Sequence, residues 1–211
     1  MPNSLIFPAS IRLANQEDVP RTAEWVEILA AVEKAEIVPG FVLRPGTERF
    51  SHYAEINVDG PLIWQVFCDL CDTLLDETAT VLFGEKEGEP HRLGSSHVRR
   101  LIKLLEPYQY QLSQDGFLEF GLVSDENYLI SEVYLGPTKH FKVWMNDEPG
   151  FRAVMARHAL PEMRQISFLD EFPRTTTMLP ADLISFRDPD EFAAHLEREI
   201  LASPDDPPPP N

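Results

Sequence analysis

The sequence contains few cysteines, few basic residues and no long apolar run, and each shortage excludes a class of protein. Two cysteines in 211 residues cannot form the disulfide framework of a small secreted protein. An apolar run of about 18 residues, which a membrane-spanning helix needs, is absent. The first residues, MPNSLIFPASIRLANQ, lack the basic start of a signal peptide. We therefore expect a cytoplasmic protein with reduced thiols and no membrane span.

Basic residues are outnumbered, with 18 Lys and Arg against 35 Asp and Glu and a net charge of −17. Nucleic-acid binding needs a basic stripe, and anionic membranes attract basic segments, so both partners are disfavoured. Only 91–113 is clearly basic, and its four basic residues are expected on the solvated face of a short helix. The charge favours a basic protein as the partner.

Apolar spacing predicts five helices, at the segments 19–35, 61–77, 97–106, 151–160 and 189–202. Ser96 is expected to cap the third of them. The last helix has the clearest signal, because Asp188 can cap it, Pro189 opens it and Glu191 follows at the third position. Its buried line is formed by Phe192, Leu196 and Ile200.

Strands are predicted by alternation and by turn residues at 40–43, 53–58, 78–84, 108–113, 117–124, 128–136, 140–146 and 165–172. The segment 84–96 is expected to be a polar loop. The order strand, turn, helix, strand occurs near 53–84 and again near 140–172, which suggests a duplicated unit. The sequence thus predicts a single α+β domain over 1–202, with a mainly antiparallel sheet and flanking helices. The Pro- and Asp-rich tail, 203–211, is predicted to be disordered.

The two cysteines, Cys68 and Cys71, have a spacing that suits zinc or a redox pair. No second pair supplies the remaining zinc ligands, and both cysteines lie in the middle of an apolar helix. Free, buried thiols are therefore expected. None of the six histidines has a metal-binding spacing, and no phosphate loop or dinucleotide motif is present. We predict no catalytic residue, no metal and no cofactor.

One part of the chain resembles a known group of proteins. The stretch FLEFGLVSDENYLISEVYLGPTKHFKVWMND, followed by FLDEFPRT, is similar to small bacterial proteins associated with the immunity proteins of polymorphic toxin systems. The similarity covers about 60 residues and rests on the strand pattern and a few aromatic residues, so it assigns no functional residue. It implies a protein that binds and blocks a toxin.

Two functions from different classes remain open. The first is a non-catalytic acidic protein-binding module, such as a toxin-neutralising immunity protein. Its binding surface is predicted at acidic turns around the sheet, with Asp125, Glu126, Asp147 and Glu148 as the candidate partner-binding residues. The alternative is an enzyme, of hydrolase type, whose site is assembled from scattered Asp, Glu and His residues.

Overall fold

The computed structural model describes residues 4–85, 90–126 and 128–202. Its strands are β1 (Ile11–Leu13), β2 (Gly40–Pro45), β3 (His52–Asn57), β4 (Thr78–Glu85), β5 (His91–His97), β6 (Leu118–Glu126), β7 (Leu129–Leu135), β8 (Phe141–Met145) and β9 (Arg174–Thr176). Its α-helices are α1 (Ala23–Val32), α2 (Ile63–Leu74), α3 (Val98–Leu105), α4 (Gln109–Gln114), α5 (Glu148–Arg157) and α6 (Pro189–Ala202).

The main sheet has seven strands in the order β2–β3–β8–β7–β6–β4–β5, and every neighbouring pair is antiparallel. A second sheet pairs β1 with β9. Helices and strands both make up a substantial part of the chain. The predicted α+β class, with a mainly antiparallel sheet, is therefore confirmed.

The hydrophobic core lies between one face of the main sheet and the helices. The apolar side of α2 is fully buried there, as its heptad-like spacing predicts, with Ile63, Val66, Phe67 and Leu70 at 0% exposure. Such burial stabilises by roughly 2 kcal/mol for each large side chain. Helix α5 is joined to α2 by Asp69, whose Oδ2 lies 2.8 Å from Nε2 of His158.

Helix α6 closes the core beside β4 and β5. The Asp188 carboxylate accepts a hydrogen bond of 2.9 Å from the amide of Asp190, which confirms the predicted cap. Phe192, Leu196 and Ile200 are buried, as the spacing predicts. The ring of Phe192 meets that of Phe83 edge-on at 5.2 Å.

Three predictions within 84–113 are wrong. The segment 108–113 is not a strand but a short 3-10 turn followed by α4. Its alternating Tyr and Gln residues have the pattern of a strand with one face exposed to solvent. In the fold, however, Gln111 is buried and donates to the carbonyl of Phe186 at 2.6 Å, so its polar side chain does not mark a surface. The expected loop 84–96 contains the edge strand β5, and Ser96 is a strand residue rather than a helix cap.

The predicted duplication lacks its last strand. The segment 165–172 forms no strand, and its regular part is a short 3-10 turn at Leu169–Glu171. Instead, Ile166 and Phe168 pack with Val38 and Val42 against the side of the main sheet that faces away from the helices. Only the first unit, β3–α2–β4, has the predicted order of strand, helix and strand. The tail prediction falls on 203–211, outside the described residues.

Candidate protein-binding surface

The main sheet has a second face, which points away from the core. Successive residues of a strand point to opposite faces, so every residue between two core residues belongs to this outer face. Its middle, on β3, β8 and β7, carries residues that are only partly buried: Tyr53, Glu55, Glu132, Tyr134, Lys142 and Trp144. We call these six residues the outer-face patch.

Strand register arranges the patch in two rows. In the first row Tyr53 lies opposite Trp144, which lies opposite Glu132. In the second row Glu55 lies opposite Lys142, which lies opposite Tyr134. Directly opposite residues of antiparallel strands have their Cβ atoms about 5 Å apart. The six side chains therefore form one continuous surface.

Aromatic rings dominate this surface. The ring centroids of Tyr53 and Trp144 are 5.1 Å apart at an interplanar angle of 46°. Tyr134 lies across Gly121 of β6, because a Cβ atom at Gly121 would come within 2.9 Å of Cδ2 of Tyr134. Tyr and Trp combine large apolar area with a polar tip, which is why they are enriched in protein interfaces.

The acidic groups of the outer face differ in how they are compensated. Glu55 forms an ion pair of 3.2 Å with Arg44. Burial raises the pKa of Glu119, while a hydrogen bond from Tyr134 and the charge of Lys139 oppose that rise. Burial also raises the pKa of Glu132, opposed only by the more distant charge of Arg92. Glu132 is therefore the least compensated of the three.

The patch is bordered at one end by covering chain. The Nδ2 of Asn57 donates to the carbonyl of Ser167 at 2.9 Å, and the ring of His140 lies 5.0 Å from that of Phe168. The segment around Phe168 thus lies over the outer face at the end of β3. The opposite end of the patch leads to the predicted acidic turns.

The structure brings the predicted acidic residues to one end of the sheet, although Asp125 and Glu126 belong to β6 and Glu148 to α5 rather than to turns. Ser51, in the β2–β3 connection, donates its amide to Oδ1 of Asn146 at 3.0 Å. Nδ2 of Asn146 in turn donates to the carbonyl of Ile130 at 3.0 Å. These bonds join the β2–β3, β6–β7 and β8–α5 connections. We call this edge of the sheet the turn end.

Asp125, Asp147 and Glu148, three of the residues predicted at the turn end, have partners within the chain. Asp125 pairs with Arg49 at 3.3 Å, and Glu126 is the last residue of β6. Asp147 caps α5 by accepting from the amide of Gly150 at 2.9 Å. Glu148 pairs with Arg152 at 2.7 Å, and this bond is the main reason that its pKa is lowered. Asp147 therefore has a structural role, whereas Asp125 and Glu148 are surface charges.

One arrangement at the turn end contains the residue types of a hydrolase. The Oγ of Ser51 lies 2.9 Å from Nδ1 of His52, and Nε2 of His52 lies 3.3 Å from a carboxylate oxygen of Glu148. A hydroxyl, an imidazole and a carboxylate in sequence are the parts of a nucleophile activated by a base. The same hydroxyl also lies 3.2 Å from the carbonyl of Met145, which competes for its proton.

A lysine and a histidine are buried together after β7. Lys139 has φ 60°, in the left-handed region, and is 1% exposed. Its Nζ donates to the carbonyl of Leu118 at 2.6 Å. Burial lowers its pKa from 10.5 to about 7, although Asp115 and Glu119 act in the opposite direction. Burial likewise lowers the pKa of His140 to about 4.

The two cysteines match their prediction. Both are free thiols; Cys71 is buried and Cys68 is partly buried. Burial raises the pKa of Cys68 to about 12 and that of Cys71 well above its ordinary value. Both thiols are thus held in their unreactive form.

Comparisons of the chain with protein-family models, with curated proteins and with solved structures found no match. Within the described ranges, no group of three His, Cys, Asp or Glu side chains is arranged to hold a metal ion. No helix in the described part of the chain is both long and apolar enough to cross a membrane.

Sequence reasoning did not find the outer-face patch. Its residues come from three strands, and the strands β4, β5, β6 and β7 lie between β3 and β8 in the sequence. One signal was present: Trp144, Glu132 and Tyr134 are polar or aromatic residues at alternate positions of strands whose other positions are mostly apolar and buried. Tyr53 joins them because β3 lies beside β8 in the sheet, and no local sequence pattern indicates this strand order.

Proposed function

We propose that this protein is a non-catalytic, acidic protein-binding module with a basic protein as its partner. A toxin-neutralising immunity protein would have this character, and a cytoplasmic location belongs to the same proposal. The observation that supports it best is the outer-face patch, with three partly buried aromatic residues, two of which, Tyr53 and Trp144, lie next to the acidic turn end. Tyr and Trp are frequent energetic centres of protein interfaces.

The charge of the chain supports the choice of partner. A net charge of −17 attracts a basic protein over several ångströms and raises its association rate. Asp125 and Glu126 are the last two residues of β6, opposite the start of β7, and Glu148 lies three residues beyond the end of β8. A partner seated on the patch would therefore meet these acids at its margin.

The test is to capture the partner from the native host with the full chain and then to measure association rates. In the first variant Asp125, Glu126 and Glu148 are changed to Lys, while Asp147 is kept because it caps α5. The matched control changes Glu24, Glu27 and Glu33, exposed residues in and just after α1, to Lys. Both variants alter the net charge equally.

We expect the turn-end variant to associate about tenfold more slowly at low ionic strength and to lose most of its salt dependence. The control variant should retain most of the rate. Equal slowing in both variants would show that only net charge matters and would remove the turn end from the interface. A partner without a basic surface would overturn the proposal.

A hydrolase is the second candidate, favoured by the arrangement of Ser51, His52 and Glu148. The competing bonds of Ser51 to Met145 and of Glu148 to Arg152 weigh against it. A fluorophosphonate probe, which reacts with activated serine hydroxyls, tests it directly. Labelling that is lost in Ser51→Ala and kept in Ser167→Ala would establish the hydrolase and replace the binding proposal. A native chain that is not labelled would reject the hydrolase.

A further inference from the structure

In the outer-face patch, a carboxylate and two aromatic side chains occupy opposite positions of neighbouring strands. Glu132 of β7 lies opposite Trp144 of β8, and Trp144 lies opposite Tyr53 of β3. The Trp144 and Tyr53 rings are in contact, with centroids 5.1 Å apart. The Glu132 carboxylate and the indole of Trp144 are therefore cross-strand neighbours on the outer face.

Glu132 has no partner for its charge. Among the residues that the structure describes, no hydrogen bond or ion pair reaches its carboxylate. The neighbouring acids at the surface are paired, Glu55 with Arg44 at 3.2 Å and Asp125 with Arg49 at 3.3 Å. Burial of a carboxylate without a partner is costly, and the single opposing influence is the more distant Arg92. The position is thus prepared for a cation that the chain itself does not supply.

We propose that Glu132 and the Trp144–Tyr53 pair receive an arginine side chain of the basic partner protein. This inference rests on the proposed function for the identity of the partner. A guanidinium group fits both parts of the site, because it binds a carboxylate through two parallel N–H donors and stacks on an aromatic ring. A lysine ammonium matches only the charge.

The first test needs no partner. N-acetyl-arginine amide carries one guanidinium and no terminal charge, and N-acetyl-citrulline amide is its uncharged counterpart. Each is titrated into the ¹⁵N-labelled full chain while the three indole N–H signals, of Trp25, Trp64 and Trp144, are followed by NMR. We expect the arginine compound to shift the signal of Trp144 and to leave the other two signals nearly unchanged.

The matched variants are Glu132→Gln, which keeps the shape and removes the charge, and Glu24→Gln on exposed α1. Loss of a charge-assisted bond should weaken binding about tenfold in Glu132→Gln and leave Glu24→Gln unaffected. Equal affinity in Glu132→Gln and the native chain, equal binding of the citrulline compound, or no shift of Trp144 would each overturn the inference.

A second measurement reports on Glu132 itself. Because its pKa is raised in the folded state, its stabilising contribution is complete below the ordinary glutamate pKa and is lost as the pH rises through the folded pKa. Glu132→Gln should therefore melt at a higher temperature than the native chain near neutral pH and at the same temperature at about pH 4. A lower melting temperature near neutral pH would mean that the chain already pairs Glu132, and the inference would fail.

The inference and the proposed function can fail separately. A native partner whose affinity is unchanged by Glu132→Gln would overturn the arginine site and leave the binding function standing. Selective binding of N-acetyl-arginine amide at Trp144, in a chain whose partner lacks a basic surface, would support the site and overturn the proposed function.

Discussion

Lys139 gives the sharpest test of the electrostatics of this fold. The change is Lys139→Met, which keeps an unbranched side chain of similar length and removes the amine. The pKa of Lys139 is lowered from 10.5 to about 7 in the folded state. At 1.36 kcal/mol for each pKa unit, carrying the charge in the folded state therefore lowers the free energy of unfolding by about 5 kcal/mol. Methionine removes this cost.

The substitution also removes a favourable contact. The carbonyl of Leu118 loses its hydrogen bond of 2.6 Å from Nζ, and an unsatisfied buried carbonyl costs about 2 kcal/mol. Below pH 7 we therefore expect Lys139→Met to be more stable than the native chain by about 3 kcal/mol. Above about pH 10 the unfolded lysine is also neutral, so only the lost bond remains and the variant should be less stable by about 2 kcal/mol.

The assay is urea unfolding, followed by tryptophan fluorescence, of both proteins at several pH values between about 6 and 10, the window of the shifted pKa. The sign follows from proton binding: the unfolded state binds the proton more tightly, so native stability due to this group rises with pH. The control is Lys103→Met, which removes an exposed lysine of α3 and should not change the dependence of stability on pH. A Lys139→Met variant that is less stable at every pH, with a constant difference, would refute the argument.

Three further results are expected. Alkylation of Cys68 and Cys71 in the native chain at neutral pH should be much slower than in the urea-unfolded chain, because burial raises both thiol pKa values; rapid labelling of two thiols would contradict this. Asp147→Ala should lower the free energy of unfolding by about 1 kcal/mol through loss of the α5 cap, whereas Asp147→Asn, which can still cap, should not; thermal unfolding of both variants distinguishes them. Gly121→Ala should destabilise the fold by about 2 kcal/mol, because the added Cβ meets Tyr134 and the carbonyl of Val133; an unchanged denaturation midpoint would show that the two strands separate easily.

Local chemistry accounts for the elements that the sequence predicts well. The cap at Asp188 and the spacing of Phe192, Leu196 and Ile200 determine α6 within its own residues. Strands β7 and β8 have mostly apolar residues at alternate positions, and both strands are found at the predicted places. In each case the information needed lies within one turn or one strand.

The failures arise where distant contacts override the local pattern. Gln111 is placed in a helix by bonds to the chain near Phe186, which no local spacing indicates. Strand β5 contributes Leu93 as its one large apolar core residue, and its pairing with β4 shifts register between Val81 and Leu82. Period-2 alternation is therefore not visible in its sequence.

The candidate site shows the same division. Neighbouring turn residues predict that Asp125 and Glu148 lie in turns, but the structure places Asp125 in β6 and Glu148 at the first position of α5, both at one end of the sheet. Glu132 could not be singled out, because its unpaired state depends on which strands flank β7. Its opposite neighbours, Val123 and Trp144, are known only when the strand order is known.

The pairing of β1 with β9 has a consequence for how the chain matures during synthesis. Ile11 pairs with Thr176, and the Ser10 hydroxyl donates to the carbonyl of Gln114 at 2.6 Å. Ile11 therefore reaches its final place only after nearly the whole domain has left the ribosome, since chains are made from the N-terminus. Until then it stays exposed together with Ile37, its partner in the same small cluster. A chain that stops before β9 would keep this apolar surface, by which quality-control proteases and chaperones can recognise it as unfinished.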